Sequence, residues 1–205
     1  MRDLKQMIIT VVVLVVICSV AAGTLAWVNG LTAPRIEEAK ARALQAALGE
    51  CLVSATDFVE DQGALARVKA ELDGAKNAPA IDKVYRGTAQ GQDQGYVFTV
   101  NTSGYASVIT LMVGINADGQ MEKVKVLSQA ETPGLGTKIK DEQFIDQSAF
   151  RSVRTGVNLA VTKDGGQVQA IAGATVSSRA VVRAINQALT AANVLLTKQG
   201  EGGLE

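Results

Sequence analysis

The stretch AIAGATVSSRAV, residues 170–181, predicts a sharp change from extended chain to helix. Small residues lead into Thr175, and an apolar pattern of helical period follows it. A helix N-terminus has free amide groups and the positive end of the helix dipole, so it favours an anion such as phosphate. A simple helix cap by Thr175 or Ser177 is the alternative. Three hydroxyls between residues 175 and 178 are more than one cap requires.

The segments around this junction predict an α+β domain, in which a twisted antiparallel sheet is flanked by helices. Apolar residues repeat at helical spacing from Val181 to Leu196, which predicts a long final helix. A second hairpin is predicted just before the junction, from strands at residues 157–161 and 168–171. The other predicted strands are Tyr96–Val100, Val108–Ile115 and a strand through Val124 and Val126, with a turn at residues 116–119.

The loop ETPGLGTK, residues 131–138, is the other unusual stretch, and a short helix is predicted after it at residues 141–147. Its glycines fit neither the Walker pattern nor G-x-G-x-x-G. An ordinary connection is the simpler interpretation. However, a glycine-rich loop also lets backbone amides approach a flat ligand closely, with Glu131 and Lys138 as polar groups beside it.

The run Met7–Val28 contains no charged residue and predicts a transmembrane helix. At about 1.5 Å per residue it spans roughly 33 Å, which matches a hydrocarbon core of about 30 Å. A cleaved signal peptide and a lipoprotein attached through Cys18 are alternatives. Apolar residues continue beyond the possible cleavage site, and the bulky Ile17 precedes Cys18, so an uncleaved anchor is favoured.

The charges beside this run predict its orientation. Arg2 and Lys5 precede the run, and the positive-inside rule therefore places residues 1–6 in the cytoplasm and the remaining mass outside. For a bacterial protein this means a single-pass protein of the plasma (inner) membrane, with its soluble domain on the outer, periplasmic face.

Residues 29–95 are predicted to form a membrane-proximal α/β segment. A linker at residues 29–33 leads to a helix that has Pro34 in its first turn and ends near Leu48. A further helix at Ala64–Leu72 and a strand near Val84 follow. At the other end of the chain, residues 198–205 are predicted to be a disordered tail.

Composition excludes several classes of function. Among the 205 residues, 20 basic and 20 acidic side chains balance, so no basic surface for nucleic acid is indicated. Histidine is absent and only two cysteines occur, which leaves no ligand set for a zinc site or an iron–sulfur cluster. Redox chemistry on this chain would therefore require an organic cofactor.

The AGATVS stretch, residues 172–177, resembles the covalent-flavin signature S-G-A-T-x-T/S of the FMN-binding domain family. The resemblance covers residues 96–197, including GINADGQMEKVKVLSQAETPGLGTKI. The family includes the G subunit of the Rnf complex and the C subunit of the sodium-pumping NADH:quinone reductase. A short chain with one N-terminal span resembles the former more, and the latter remains an alternative.

The resemblance implies that FMN is joined to Thr175 through a phosphoester bond, which a separate flavin transferase makes. Lys163, expected on the strand beside this threonine, would balance the phosphate charge. The implied neighbours of the phosphate are Gly173, Ala174, Val176, Ser177 and Ser178. The residues implied at the flavin ring are Glu131, Thr132, Pro133, Gly134, Leu135 and Gly136. This sequence departs from the family at Gln169, where an acidic residue is usual, and at Ala172, where serine or threonine is usual.

The resemblance further implies an electron-transfer subunit of a membrane oxidoreductase complex of the Rnf type, which couples electron flow between ferredoxin and NAD to ion translocation. Its expected partners are the other membrane subunits of the complex, the transferase and the membrane, and it would not be catalytic alone. Two alternatives remain open: a membrane-anchored binding module without redox chemistry, and a flavoenzyme with its own small-molecule substrate.

Overall fold

The structure, a computed structural model, describes residues 2–72, 80–151 and 153–201. The chain divides into two units, Met1–Gln45 and Ala46–Glu205. The helices are α1 (Arg2–Cys51), α2 (Gln62–Leu72), α3 (Glu142–Ile145), α4 (Ser148–Arg151) and α5 (Thr175–Glu201). The strands are β1 (Asp57–Glu60), β2 (Ile81–Ala89), β3 (Gln92–Ser103), β4 (Val108–Asn116) and β5 (Met121–Ser128). Short 3₁₀ helices lie at Gly136–Lys140 and Thr162–Asp164.

The first unit consists of α1 alone, without the last turns of that helix. It contains the one described helix that is long and apolar enough to cross a membrane, and its apolar side chains are exposed. The hydroxyls of Thr24 and Thr32 donate to the carbonyls of Val20 and Val28, at 2.8 and 2.9 Å. These polar side chains are thus satisfied within the helix, as a lipid environment requires.

The second unit is built on a five-stranded antiparallel meander in the order β1-β2-β3-β4-β5. Helix α5 packs on one face of it. Phe98 and Val113 from the sheet share one buried cluster with Val181, Ile185 and Leu189 from α5. Burial of each such side chain contributes about 1.5–3 kcal/mol relative to exposure. The predicted apolar face of the final helix and the predicted α+β fold are therefore confirmed.

The end of α1 lies close to the sheet at two glycines. Leu48, Cys51 and Leu52 are fully buried. A Cβ added to Gly114 would lie 2.0 Å from the Cys51 carbonyl oxygen, and one added to Gly87 would lie 2.6 Å from Leu52 Cδ2. The missing side chains in β2 and β4 therefore create the space that this segment fills.

We expect Gly114→Ala to destabilise the protein by about 1–3 kcal/mol, because the added methyl must displace the Cys51 backbone. Urea unfolding of the full chain in detergent, followed by circular dichroism, measures the change. Gly49→Ala is the matched control: nothing lies within 4 Å of the added Cβ, and alanine favours the helix by about 1 kcal/mol. Equal stability of the two variants would contradict this packing.

The region before α5 differs from the predicted second hairpin. Residues 157–171 contain a single isolated bridge, between Val161 and Val168, and no strand. The Asn186 side chain of α5 accepts from the Leu159 amide and donates to its carbonyl, both at 2.9 Å. Leu159, Val161 and Val168 are buried, whereas Val157 is exposed. At Leu159 a helix side chain satisfies the backbone where a strand partner was expected. The prediction of strands was therefore wrong here.

The N-terminal helix also differs from the prediction. Helix α1 continues through residues 29–34 without the predicted linker and ends at Cys51. Within this stretch the Thr32 hydroxyl donates to the Val28 carbonyl at 2.9 Å, one helical turn earlier. Pro34 therefore lies inside the helix, a position where proline costs about 3 kcal/mol, and not in a first turn. The predictions of a linker at residues 29–33 and of a new helix beginning near Pro34 were therefore wrong.

The remaining sequence-based expectations have mixed outcomes. The predicted helices at 64–72 and 141–147 and the predicted strands near Val84 and through residues 96–126 are confirmed. Strand β1 was not predicted, and the expected boundary between residues 95 and 96 falls inside β3. Helix α5 extends to Glu201, which corrects the tail prediction for residues 198–201; residues 202–205 lie outside the described part.

Candidate functional site

The start of α5 is shaped by a glycine turn. Gly173 has φ +76°, a backbone conformation that residues with a side chain rarely adopt. A Cβ on Gly173 would also lie 3.1 Å from Leu135 Cδ2. The first helical bond runs from the Ser178 amide to the Ala174 carbonyl, at 3.0 Å. Glycine at this position therefore lets the chain turn into the helix directly beside the 131–136 loop.

The three hydroxyls of this stretch have different environments. Ser177 is 1% exposed and donates to Glu131 Oε2 at 2.6 Å. Ser178 is fully buried, donates to the Ala174 carbonyl at 3.0 Å and accepts from the Ile171 amide at 3.0 Å. Thr175 is only half-buried, and its Oγ1 accepts from Lys163 Nζ at 3.2 Å. None of these bonds caps an α5 amide, so the cap interpretation does not account for Thr175.

Lys163 reaches Thr175 from a short 3₁₀ helix, Thr162–Asp164, rather than from the predicted strand. Arg179 on α5 holds this helix through two hydrogen bonds to the Asp164 carboxylate, one of them from Nε at 2.7 Å. The hydrogen bond from Arg179 also lowers the pKa of the Asp164 carboxyl. The ion pair thus fixes the 3₁₀ helix to the first turns of α5 and places a cation beside the Thr175 hydroxyl.

Glu131 is a buried carboxylate, 4% exposed, that joins three segments. It accepts hydrogen bonds from the amides of Tyr105, Ala106 and Ser107, at 3.1, 3.0 and 2.9 Å, and from the Ser177 hydroxyl. Burial opposes its ionisation, but these hydrogen bonds outweigh burial and lower its pKa below the ordinary glutamate value. Glu131 therefore connects the β3–β4 loop, its own loop and α5.

These elements surround a cavity of about 500 Å³. Its lining contains most of the residues predicted for the site, together with Tyr105, which was not predicted. The lining residues are Tyr105, Thr132, Leu135, Gly136, Lys163, Gly173, Ala174, Thr175, Val176 and Ser177. Four predicted residues are outside the lining: Glu131, Pro133, Gly134 and Ser178.

The cavity has the features that a phosphorylated flat ligand requires. Its volume lies within the range of about 300–1,000 Å³ that is typical of cofactor pockets. One part presents the Lys163 ammonium and the N-terminus of α5, which suit a phosphate. Another part is apolar, with Leu135 and Val176 exposed by 43% and 45%. The residues present therefore fit FMN.

Two departures from the flavin signature lie at the edge of this site. Gln169 is exposed, and its backbone is held by the Gln147 side chain, which accepts from the Gln169 amide at 2.7 Å and donates to its carbonyl at 3.0 Å. Ala172 is exposed in the turn before Gly173. Both residues line a second cavity of about 380 Å³. Neither position contributes to the cavity at Thr175.

Comparisons with known proteins agree with this architecture. Residues 104–190 match the FMN-binding domain family, and residues 1–50 match the RnfG N-terminal region. The chain is 35% identical over 183 residues to the G subunit of the Na(+)-translocating ferredoxin:NAD(+) oxidoreductase complex of Acetobacterium woodii, covering 86% of this chain and 87% of the relative. It is also 35% identical over 191 residues to the G subunit of the ion-translocating oxidoreductase complex of Methanosarcina acetivorans, covering 92% and 96%.

Among solved structures, the chain is similar to that of NqrC from Shewanella oneidensis, with a TM-score of 0.47, 21% identity, and coverage of 59% of this chain and 61% of that one. The fold and the site define an FMN-binding domain that follows an apolar N-terminal helix. The chain belongs to the family of G subunits of ion-translocating oxidoreductase complexes. The resemblance identified from the AGATVS stretch is therefore confirmed.

Proposed function

We propose that this chain carries FMN covalently on Thr175 Oγ1 and transfers electrons within an ion-translocating oxidoreductase complex. One observation carries the choice of residue: Ser177 and Ser178 are 1% and 0% exposed and donate their hydroxyls to protein acceptors, whereas Thr175, which also lines the cavity, is only half-buried. A transferase approaching from solvent would meet one acceptor. This accounts for a single attachment point without any special property of threonine itself.

The proposed attachment is a phosphoryl transfer. Thr175 Oγ1 forms a new bond to the FMN phosphorus of a phosphoanhydride donor, and the anhydride P–O bond breaks. The other half of the anhydride leaves as a phosphate monoester, and the hydroxyl proton passes to solvent. The resulting phosphodiester keeps one negative charge. Lys163 and the free amides of the first turn of α5 would hold that charge. Glycine at 173 would allow the phosphate to approach the backbone closely.

We expect Lys163→Gln to slow the covalent attachment of FMN, with little change in stability, since Lys163 is an exposed residue. Loss of one charge-assisted contact, about 1.5–3 kcal/mol, corresponds to roughly tenfold or more in rate. The measurement is flavin incorporation over time with purified transferase. Lys83→Gln, which removes a surface lysine paired with Glu60, is the control. Equal rates of flavin incorporation for both variants would contradict a role of Lys163 in the attachment.

The electron-transfer role follows from family membership. The relatives named above are subunits of ion-translocating oxidoreductase complexes, and one is named for ferredoxin and NAD(+). When bound, FMN accepts and releases electrons. The absence of histidine agrees with a relay, which needs no general base. In the purified complex, addition of NADH should bleach the flavin on this chain; a flavin that stays oxidised while the complex turns over would contradict the relay.

We further propose that α1 crosses the bacterial inner membrane once, with the FMN-binding domain on the outer face. The exposed apolar side chains of α1 support the crossing. The positive charges of Arg2 and Lys5 support the orientation, with the N-terminus in the cytoplasm. Protease added to intact spheroplasts should degrade the domain and leave a short protected fragment. The same protease added to inverted vesicles is the control. Protection in spheroplasts with digestion in inverted vesicles would reverse the orientation.

A further inference from the structure

The β3–β4 loop presents an aromatic side chain that the flavin signature does not include. Tyr105 lines the cavity at Thr175, yet 73% of the residue is exposed. Leu135 and Val176 line the same cavity and are also substantially exposed. An open cavity with an aromatic ring and two aliphatic side chains has the composition of a site for a planar aromatic group.

The loop that bears Tyr105 is nevertheless firmly held. The Gly104 amide donates to the Ser107 carbonyl at 2.8 Å, which closes a tight turn. Three successive amides, those of residues 105–107, converge on the Glu131 carboxylate. Successive amides that converge in this way form an anion-binding nest. The exposed ring is therefore mounted on a backbone that a buried charge fixes in place.

Two glycines leave room for the Glu131 side chain beside the loop amides. A Cβ added to Gly104 would lie 2.5 Å from Glu131 Oε1, and one added to Gly136 would lie 2.8 Å from Glu131 Cβ. The same carboxylate holds the Ser177 hydroxyl at the start of α5. One buried residue thus sets the position of Tyr105 relative to Thr175 across the cavity.

We propose that Tyr105 is a cofactor-binding residue that stacks against the flavin ring, and that Glu131 is the positioning residue that holds it there. This inference rests on the proposed attachment of FMN to Thr175. A phenol ring on a flavin quenches flavin fluorescence and changes its reduction potential, because the stacked ring interacts differently with the oxidised and the reduced flavin. Both properties report on contact with the flavin rather than on folding.

The test uses the full chain, loaded by the transferase and purified in detergent. Tyr105→Ala should raise the fluorescence of the native holoprotein several-fold and shift its midpoint potential. Tyr105→Phe keeps a stacked ring but lacks the electron-donating phenol, so it should also raise the fluorescence while shifting the potential far less. Val108→Ala, which removes an exposed apolar side chain outside the cavity lining, is the control. Unchanged fluorescence and potential in a flavin-loaded Tyr105→Ala protein would overturn the stacking role.

A double-mutant cycle tests Glu131. Glu131→Gln should raise the fluorescence as Tyr105→Ala does, and should add nothing in the Tyr105→Ala background, because both changes act through one ring. Additive effects would overturn the positioning role. The fluorescence of denatured protein separates this inference from the proposed function. If the wild type retains flavin after denaturation but Tyr105→Ala leaves the native fluorescence unchanged, only the inference is defeated. If the wild type retains no flavin, both are defeated.

Discussion

Replacing Thr175 with alanine should leave a folded membrane protein that retains no flavin after denaturation. The Thr175 hydroxyl makes no cap bond to α5 among the described residues, and its one partner there is Lys163. The substitution should therefore cost less than the roughly 1 kcal/mol that the loss of a helix cap costs. In-gel fluorescence of protein made together with the transferase measures retained flavin, and thermal unfolding measures stability.

Ser177→Ala and Thr175→Ser are the informative companions. Ser177→Ala removes a buried hydroxyl and should keep its covalent flavin, because the acceptor on Thr175 is intact. Thr175→Ser keeps a hydroxyl at the cavity and should be modified to some extent. Covalent flavin in Thr175→Ala would mean that Ser177 or Ser178 is the acceptor, despite the burial of both side chains.

Glu131→Ala should be the most destabilising single change at this site. It leaves three loop amides and the Ser177 hydroxyl without their acceptor, and each unsatisfied buried group costs about 1–3 kcal/mol. Because solvent reaches part of the loop, we expect a total on the order of 3–5 kcal/mol. Chemical unfolding of the flavin-free full chain in detergent measures it.

The same carboxylate predicts a pH dependence. Its pKa is lower in the folded protein than in the unfolded chain, where glutamate titrates near about 4.3. Its stabilisation is therefore complete above the unfolded pKa and is lost as the pH falls through the folded pKa. Glu131→Gln should therefore reduce the loss of unfolding free energy at low pH, which is the acid limb of the stability curve. An acid limb that is unchanged in Glu131→Gln would contradict the role of this carboxylate.

Glu122→Ala is the matched control for the stability measurement. Glu122 also accepts two backbone amides, those of Val53 and Ser54, at 2.7 and 3.3 Å, but it is only half-buried. Solvent can replace the lost acceptor there, so the cost should stay near 1 kcal/mol. A cost equal to that of Glu131→Ala would show that amide binding alone, without burial, accounts for the effect.

Local patterns predicted much of the fold because the residues that decide it are close in sequence. The turn at residues 116–119, the alternating strand β5 and the apolar face of α5 each depend on neighbours within one element. The strand at residues 157–161 was mispredicted because the backbone of Leu159 is paired with the side chain of Asn186, which is remote in sequence. No local pattern can indicate that a helix side chain replaces a strand partner.

The site shows the same division. Gly173 and Thr175 were predicted from their own stretch, and the structure places both on the cavity. The hydrogen bonds of Glu131 to residues 105–107 and to Ser177 could not be predicted, since they join segments more than 20 residues apart. One feature of the sequence could have indicated Tyr105 as a site residue. It is an aromatic residue in a polar loop between two apolar strands, where it has no obvious structural purpose.

Peptide mass spectrometry of the wild-type protein made with its transferase tests the central claim most directly. Trypsin cleaves after Lys163 and Arg179, which isolates residues 164–179, with all three candidate hydroxyls, in one peptide. That peptide should carry the mass of FMN less one water, and fragmentation should place it on Thr175. An unmodified peptide, or a flavin on Ser177 or Ser178, would contradict the account.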